Sequence, residues 1–170
     1  DQFEEIFGSL WIGKHPTELM GRYQVMHLDF SRIGGSIDEL EKKFDQYMMR
    51  QLDDFVRKYA TDYPDYFIKE FFESTSGTDK LIMITTIANR LRIPMYLIID
   101  EYDNFTNVVL SEKGEEMYHK LTHAEGFYRD VFKKFKGTFE RIFFTGVSPV
   151  TLDDLTSGFN IGWNISTLFY

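Results

Sequence analysis

Two hydrophobic rhythms divide this chain. Short unbroken apolar runs predict buried strands, and longer stretches with apolar residues every three or four positions predict amphipathic helices. The strand-like runs are Tyr23–Phe30 (YQVMHLDF), Met95–Ile99 (MYLII) and Arg141–Val147 (RIFFTGV). Met95–Ile99 is introduced by Pro94 and shows no polar alternation, which predicts a strand covered on both faces, as in a parallel α/β sheet. Gly34 and Gly35 close the loop behind the first run, and Ser36–Glu39 is spaced as a capping box. Ile37, Leu40, Phe44, Met48, Leu52, Phe55 and Tyr59 then share one helical stripe, so a long helix is expected to run to about Tyr59. Asp65–Glu73 reads as a short aromatic-rich helix and Ser74–Thr78 as a turn. Thr78 is expected to cap a helix over Asp79–Leu91 that shows Leu81, Ile84, Ala88 and Leu91 on one side. A loop through Asn104 and Thr106 is expected next. Helices follow at about Glu112–Leu121 and His123–Phe135, the second capped by Thr122–Glu125. At the start of the chain Phe3, Ile6, Phe7, Leu10, Trp11 and Ile12 carry enough apolar surface to predict that this segment packs down.

Composition narrows the class without assigning a role. A length of 170 residues suits one domain with a real core. With 19 basic against 27 acidic residues, the net charge of −8 disfavours a broad nucleic-acid surface on this chain. A local basic groove stays open, and nucleic-acid binding is left to a longer parent. The chain has no cysteine, which excludes disulfides and thiolate metal sites and fits a reducing cytoplasm. No apolar run approaches the roughly 20 residues that span a bilayer, and no signal peptide is evident. The sequons at Asn104 and Asn164 are taken as chance. Starting at Asp1 without a Met and stopping in the apolar phrase Leu168–Tyr170, the chain is expected to be a piece of something longer.

The candidate chemistry lies where the second run ends in Asp100 and Glu101. In open parallel sheets ligands bind outside the carboxyl ends of the strands, so a strand ending in two acids delivers them to the expected place. This pattern looks like a Walker B strand, in which Asp100 would hold magnesium through water and Glu101 would polarise the attacking water. The plainer alternative is a strand whose acidic end begins a solvated loop. Two other motifs are weaker. Gly8–His15 (GSLWIGKH) matches the phosphate-loop pattern G-x-x-x-x-G-K-[ST] except at its last position, but it follows a helix-like segment instead of a strand and puts His15 where the hydroxyl belongs. His119 and His123 have a zinc-compatible spacing, but Lys120 stands where a metalloprotease helix would place Glu, and surface or capping roles explain both.

Four longer phrases carry a resemblance: VMHLDFS (residues 25–31), YLIIDEYDNFTN (96–107), YHKLTHAEGFYRDVFK (118–133) and FFTGVSPVTLDDLTSGFN (143–160). Together they resemble the bacterial predicted AAA-ATPase-like family, whose members usually join a P-loop ATPase domain to a PD-(D/E)XK nuclease-like domain. The resemblance implies a three-layer, P-loop NTPase-like α/β fold of the additional-strand class, with a mostly parallel sheet in the order five-one-four-three-two. Residues 1–170 would be one partial core domain, with Walker B strand 95–100 and sensor strand 141–147, lacking the P-loop strand. The implied catalytic residues are Glu101 and Thr145, the latter sensing the γ-phosphate; Asp100 and Ser148 would meet Mg-ATP, with Asp100 holding the ion only alongside nucleotide. Mg2+ and ATP are therefore expected for the parent, and neither binding nor turnover for the chain alone. Asp103 receives no role, and neither Arg129 nor Arg141 is identified as an arginine finger. Removing strand one would make 141–145 an apolar sheet edge, to be filled by Asn164–Tyr170 or by a second copy. The alternative to an ATPase is a non-catalytic interaction module that keeps the fold.

Overall fold

The computed structural model describes residues 2–33, 39–122, 127–147 and 165. In chain order the elements are α1 (Gln2–Phe7), α2 (Trp11–Lys14), β1 (Gln24–Asp29), α3 (Leu40–Lys58), α4 (Asp65–Glu73), α5 (Gly77–Leu91), β2 (Met95–Asp100), α6 (Asn104–Lys113), α7 (Glu115–Thr122), α8 (Phe127–Thr138) and β3 (Arg141–Phe144), with short 3-10 turns at Phe30–Arg32 and Ala60–Asp62. The three strands form one parallel sheet in the order β1-β2-β3. Parallel neighbours need crossover connections, which α3–α5 supply for the first pair and α6–α8 for the second. The order agrees with the expected adjacency four-three-two.

Register decides what each face does. Met26 and Leu28 stand opposite Leu97 and Ile99, which stand opposite Ile142 and Phe144, so one face of the sheet is a continuous apolar surface. Phe30, fully buried just past β1, extends it, with ring centroids 5.4 Å from Phe44 of α3 and 6.5 Å from Phe132 of α8; Phe132 also stacks 5.6 Å from Phe144. On the other face Val25, Tyr96 and Ile98 are only half-buried, and His27 and Phe143 are exposed. The double-sided covering predicted from the unbroken run Met95–Ile99 is thus met on one face among the described residues.

The outer edge of β1 is satisfied by side chains from the α3 region: the Val25 amide donates to the Tyr59 hydroxyl at 2.9 Å and the Asp29 amide to the Tyr47 hydroxyl at 2.7 Å. Burial raises the Tyr47 pKa above its ordinary value. Helices α3 and α5 are joined by two polar links. Asp45 accepts from the Gly77 amide at 2.9 Å and the Thr78 amide at 3.3 Å, and the buried Lys80 ammonium donates to Asp53 at 2.5 Å.

Several expectations need correction. The segment from Phe3 to Ile12 does not pack down: neither α1 nor α2 has a buried residue, and Trp11 is 71% exposed. Apolar content could not reveal that these two short helices meet each other without burying a residue in the described core. The cap of α5 is Ser76, whose hydroxyl accepts from the Asp79 amide at 3.2 Å, and the helix starts at Gly77 because Asp45 also takes up amides of its first turn. Ile87, rather than the exposed Leu91, completes its buried stripe. The stretch through Asn104 and Thr106 is helix α6, not a loop: Thr106 and Val109 are buried, and the Thr106 hydroxyl satisfies the Asp103 carbonyl at 2.9 Å, so tertiary burial overrides weak local propensity. The last two helices are α7 and α8, later than expected, and β3 ends at Phe144, short of Val147. The Ser36 box, Ser148, His123 and the segment Asn164–Tyr170, apart from Ile165, lie outside the described residues. Strand β3 is an edge of the sheet among the described residues.

Candidate functional site

Three strand ends meet at the carboxyl edge of the sheet, and β1 and β2 finish in directly opposed acids, Asp29 and Asp100. Asp100 is exposed. Its Oδ1 accepts from the Glu101 amide at 3.1 Å and from the Thr145 hydroxyl of the chain leaving β3. Both bonds fall on one oxygen, so Oδ2 is the atom left to meet a hydrated ion. Among the described residues no group of three or more His, Asp or Glu is arranged to hold a metal. One exposed carboxylate suits magnesium that keeps most of its waters and draws its other ligands from phosphate, the usual arrangement for this ion.

Glu101 follows in the left-handed region, with φ of 54°. For a non-glycine residue this conformation costs on the order of 1 kcal/mol and persists only when its surroundings hold it. The restraint is visible on the next residues: the Tyr102 amide donates to the Thr145 carbonyl at 3.1 Å, while the Thr145 amide donates to the Ile99 carbonyl at 2.9 Å. Ladder-like bonding therefore continues one residue past β3 and carries Thr145 alongside Asp100. Glu101 is half-buried and its carboxylate makes no hydrogen bond to another described residue.

Directly beneath lies Asp103, with 0% exposure. Both its oxygens are 3.2 Å from the Val147 amide, and Oδ2 also accepts from the Asn107 side-chain amide at 2.9 Å. The buried Tyr128 hydroxyl donates to the Tyr102 carbonyl, and burial, then the charge of Asp103, raises its pKa well above the ordinary value. Gly146 fits into this cluster only because it lacks a side chain: a Cβ there would lie 2.5 Å from Asp103 Oδ1 and 2.5 Å from Tyr102 Cε1. Gly146→Ala is accordingly expected to cost about 1–3 kcal/mol of stability through overpacking. Thermal denaturation checks this, and an unchanged melting temperature would mean that the turn opens without strain.

At the neighbouring strand end, Asp29 accepts from the Ser31 hydroxyl at 2.6 Å, the Ser31 amide at 3.1 Å and Arg32 Nε at 3.0 Å. The Ser31 hydroxyl bond, followed among the favourable causes by the Arg32 guanidinium, holds the Asp29 carboxyl below its usual range against the opposing effect of desolvation. Asp29 and Asp103 were not assigned roles from sequence. The clue to Asp29 is its position at the end of a predicted strand like that of Asp100; the clue to Asp103 is only its place in DEYD. Arg141 sits at the opposite, amino end of β3, where its Nε donates to the Tyr23 hydroxyl at 3.1 Å, a bond that raises its pKa. The Gly8–His15 motif is preceded by α1 and contains α2, so it lacks the strand-loop-helix setting of a phosphate loop.

A family model described as Predicted AAA-ATPase matches residues 1–156. No curated protein and no solved structure matches the chain.

Proposed function

Because the chain belongs to the AAA-ATPase-like family, we propose that it carries the hydrolytic half of an ATP site, with Asp100, Glu101 and Thr145 as its working groups. The observation that carries this reading is the Thr145 hydroxyl bonded to the Asp100 carboxylate across adjacent parallel strand ends. Phosphoryl transfer needs positioning and charge stabilisation more than covalent chemistry. A magnesium ion supplies charge neutralisation on the phosphate oxygens when bound. Asp100 would hold the hydrated ion through Oδ2, while its Oδ1 keeps the Thr145 hydroxyl close to the phosphate to be transferred. Glu101 would orient and deprotonate the attacking water. Residues 8–15 are not assigned the phosphate cradle, because no described strand precedes them and the described strand ends present acids and a hydroxyl. Ser148 would join Asp100 at the nucleotide.

The test is magnesium dependence in the full-length protein. Asp100→Asn is expected to raise the magnesium concentration for half-maximal ATP turnover by about tenfold or more, since the ion loses its carboxylate. ATP turnover with the same magnesium requirement in this variant would remove Asp100 from the ion site, and an inactive wild-type protein would sink the ATPase reading itself.

A further inference from the structure

The carboxylate of Asp103 is a buried acid at the sheet edge that the proposed chemistry does not use. It is fully enclosed, where a carboxylate is costly unless several donors compensate it. Its donors come from both sides of the site. Asn107 belongs to α6, directly after the turn that carries Glu101, and Val147 belongs to the turn that carries Thr145. A second bond runs parallel to this one, from the Tyr102 amide to the Thr145 carbonyl. Gly146, between the two bonds, lies so close to Asp103 and Tyr102 that no Cβ fits. The two turns are therefore joined twice within two residues of Glu101, whose left-handed backbone needs external restraint.

We propose that Asp103 is a positioning residue that clamps the turn after β3 to the turn after β2, and so sets Glu101 and Thr145 in the relative placement that hydrolysis requires. This rests on the reading of Glu101 and Thr145 given above. Asp103 itself touches neither nucleotide nor water in this scheme. Its contribution is geometric: its two oxygens hold the Val147 amide, two residues on from Thr145, whose carbonyl accepts from the Tyr102 amide one residue past Glu101. An asparagine keeps most of this, since its oxygen can accept from Val147 and its amino group can donate to a flipped Asn107 side chain. An alanine keeps neither side-chain link and leaves the turns joined by the Tyr102–Thr145 backbone bond.

The experiment uses the full-length protein in two arms. In the first, Asp103→Ala is expected to lower kcat for ATP by at least about tenfold while the calorimetric Kd for Mg-ATP with non-hydrolysable analogue stays within about threefold, and Asp103→Asn is expected to recover kcat to within about threefold of wild type. Should Asp103→Ala fail to fold, Gly146→Ala, measured below its melting temperature, strains the same clamp and is expected to show the same split. In the second arm, hydrogen exchange at the Val147 and Tyr102 amides is expected to speed up by at least about tenfold in Asp103→Ala or Gly146→Ala, with amides in the middle of β2 unchanged. A kcat per folded molecule equal to wild type overturns the proposal, as does equal loss of kcat and binding. Unchanged exchange at Val147 and Tyr102 overturns it whether or not ATP is hydrolysed. A wild-type protein without ATPase activity, in contrast, removes the functional reading while the exchange arm still decides whether the clamp exists.

Discussion

In the full-length protein, Glu101→Gln is expected to keep its affinity for Mg-ATP while turnover falls by at least about 100-fold, the usual contribution of a positioned general base. Glutamine preserves the shape and the hydrogen-bonding reach of the side chain but cannot take a proton. The backbone turn is held by the Tyr102–Thr145 bond and the Asp103–Val147 bonds, none of which uses the Glu101 side chain, so the substitution leaves the surrounding geometry in place. Phosphate release under saturating ATP gives kcat, and calorimetry gives Kd. Turnover within threefold of wild type would remove Glu101 from the role assigned to it, and loss of binding together with turnover would point to a disturbed turn rather than a missing base.

The largest stability effect is expected at the Lys80–Asp53 link between α3 and α5, and it should be lopsided. Lys80 is 2% exposed against 24% for Asp53, with the ammonium 2.5 Å from the Asp53 carboxylate and 4.5 Å from the Phe71 ring centroid. Asp53→Ala strands a buried cation and is expected to cost about 3 kcal/mol, with the Phe71 face offsetting only part of the loss. Lys80→Met keeps the length and apolar stem in the same space and leaves Asp53 able to hydrate, so the cost should stay below about 1 kcal/mol. Denaturant midpoints at constant slope measure both. Equal losses from the two substitutions would show that the ion pair contributes through its charge attraction rather than through the penalty of leaving one partner buried alone. For a domain whose total stability is about 5–15 kcal/mol, the larger loss moves the midpoint well outside experimental error.

The core of this fold was readable because burial on a sheet face or a helix stripe leaves a period in the sequence. The runs 23–30 and 95–99 predicted β1 and β2, the stripe from Leu40 to Phe55 predicted α3, and Asp65–Glu73 matches α4 residue for residue. The resemblance carried by four phrases was matched by a family assignment over residues 1–156. Asp100 at the end of an apolar strand could be located by counting, since a strand's end is a local feature.

Tertiary structure alone decided the rest. That Thr145 bonds to Asp100, and that Asp29 lies opposite it, depends on parallel register between segments far apart in sequence, which no local pattern encodes. Helix α6 begins through Asn104, Thr106 and Asn107, which individually favour caps and turns, because Thr106 and Val109 find burial there. The apolar positions of α1 and α2 promise a core contact that the described residues do not provide, since hydrophobicity states a need for a partner without supplying one. Asp103 shows the limit most clearly. In the sequence it is one acid among four residues reading DEYD, and only folding buries it, brings Val147 to its oxygens and presses Gly146 against it, because a carboxylate acquires a role from donors that distant parts of the chain deliver.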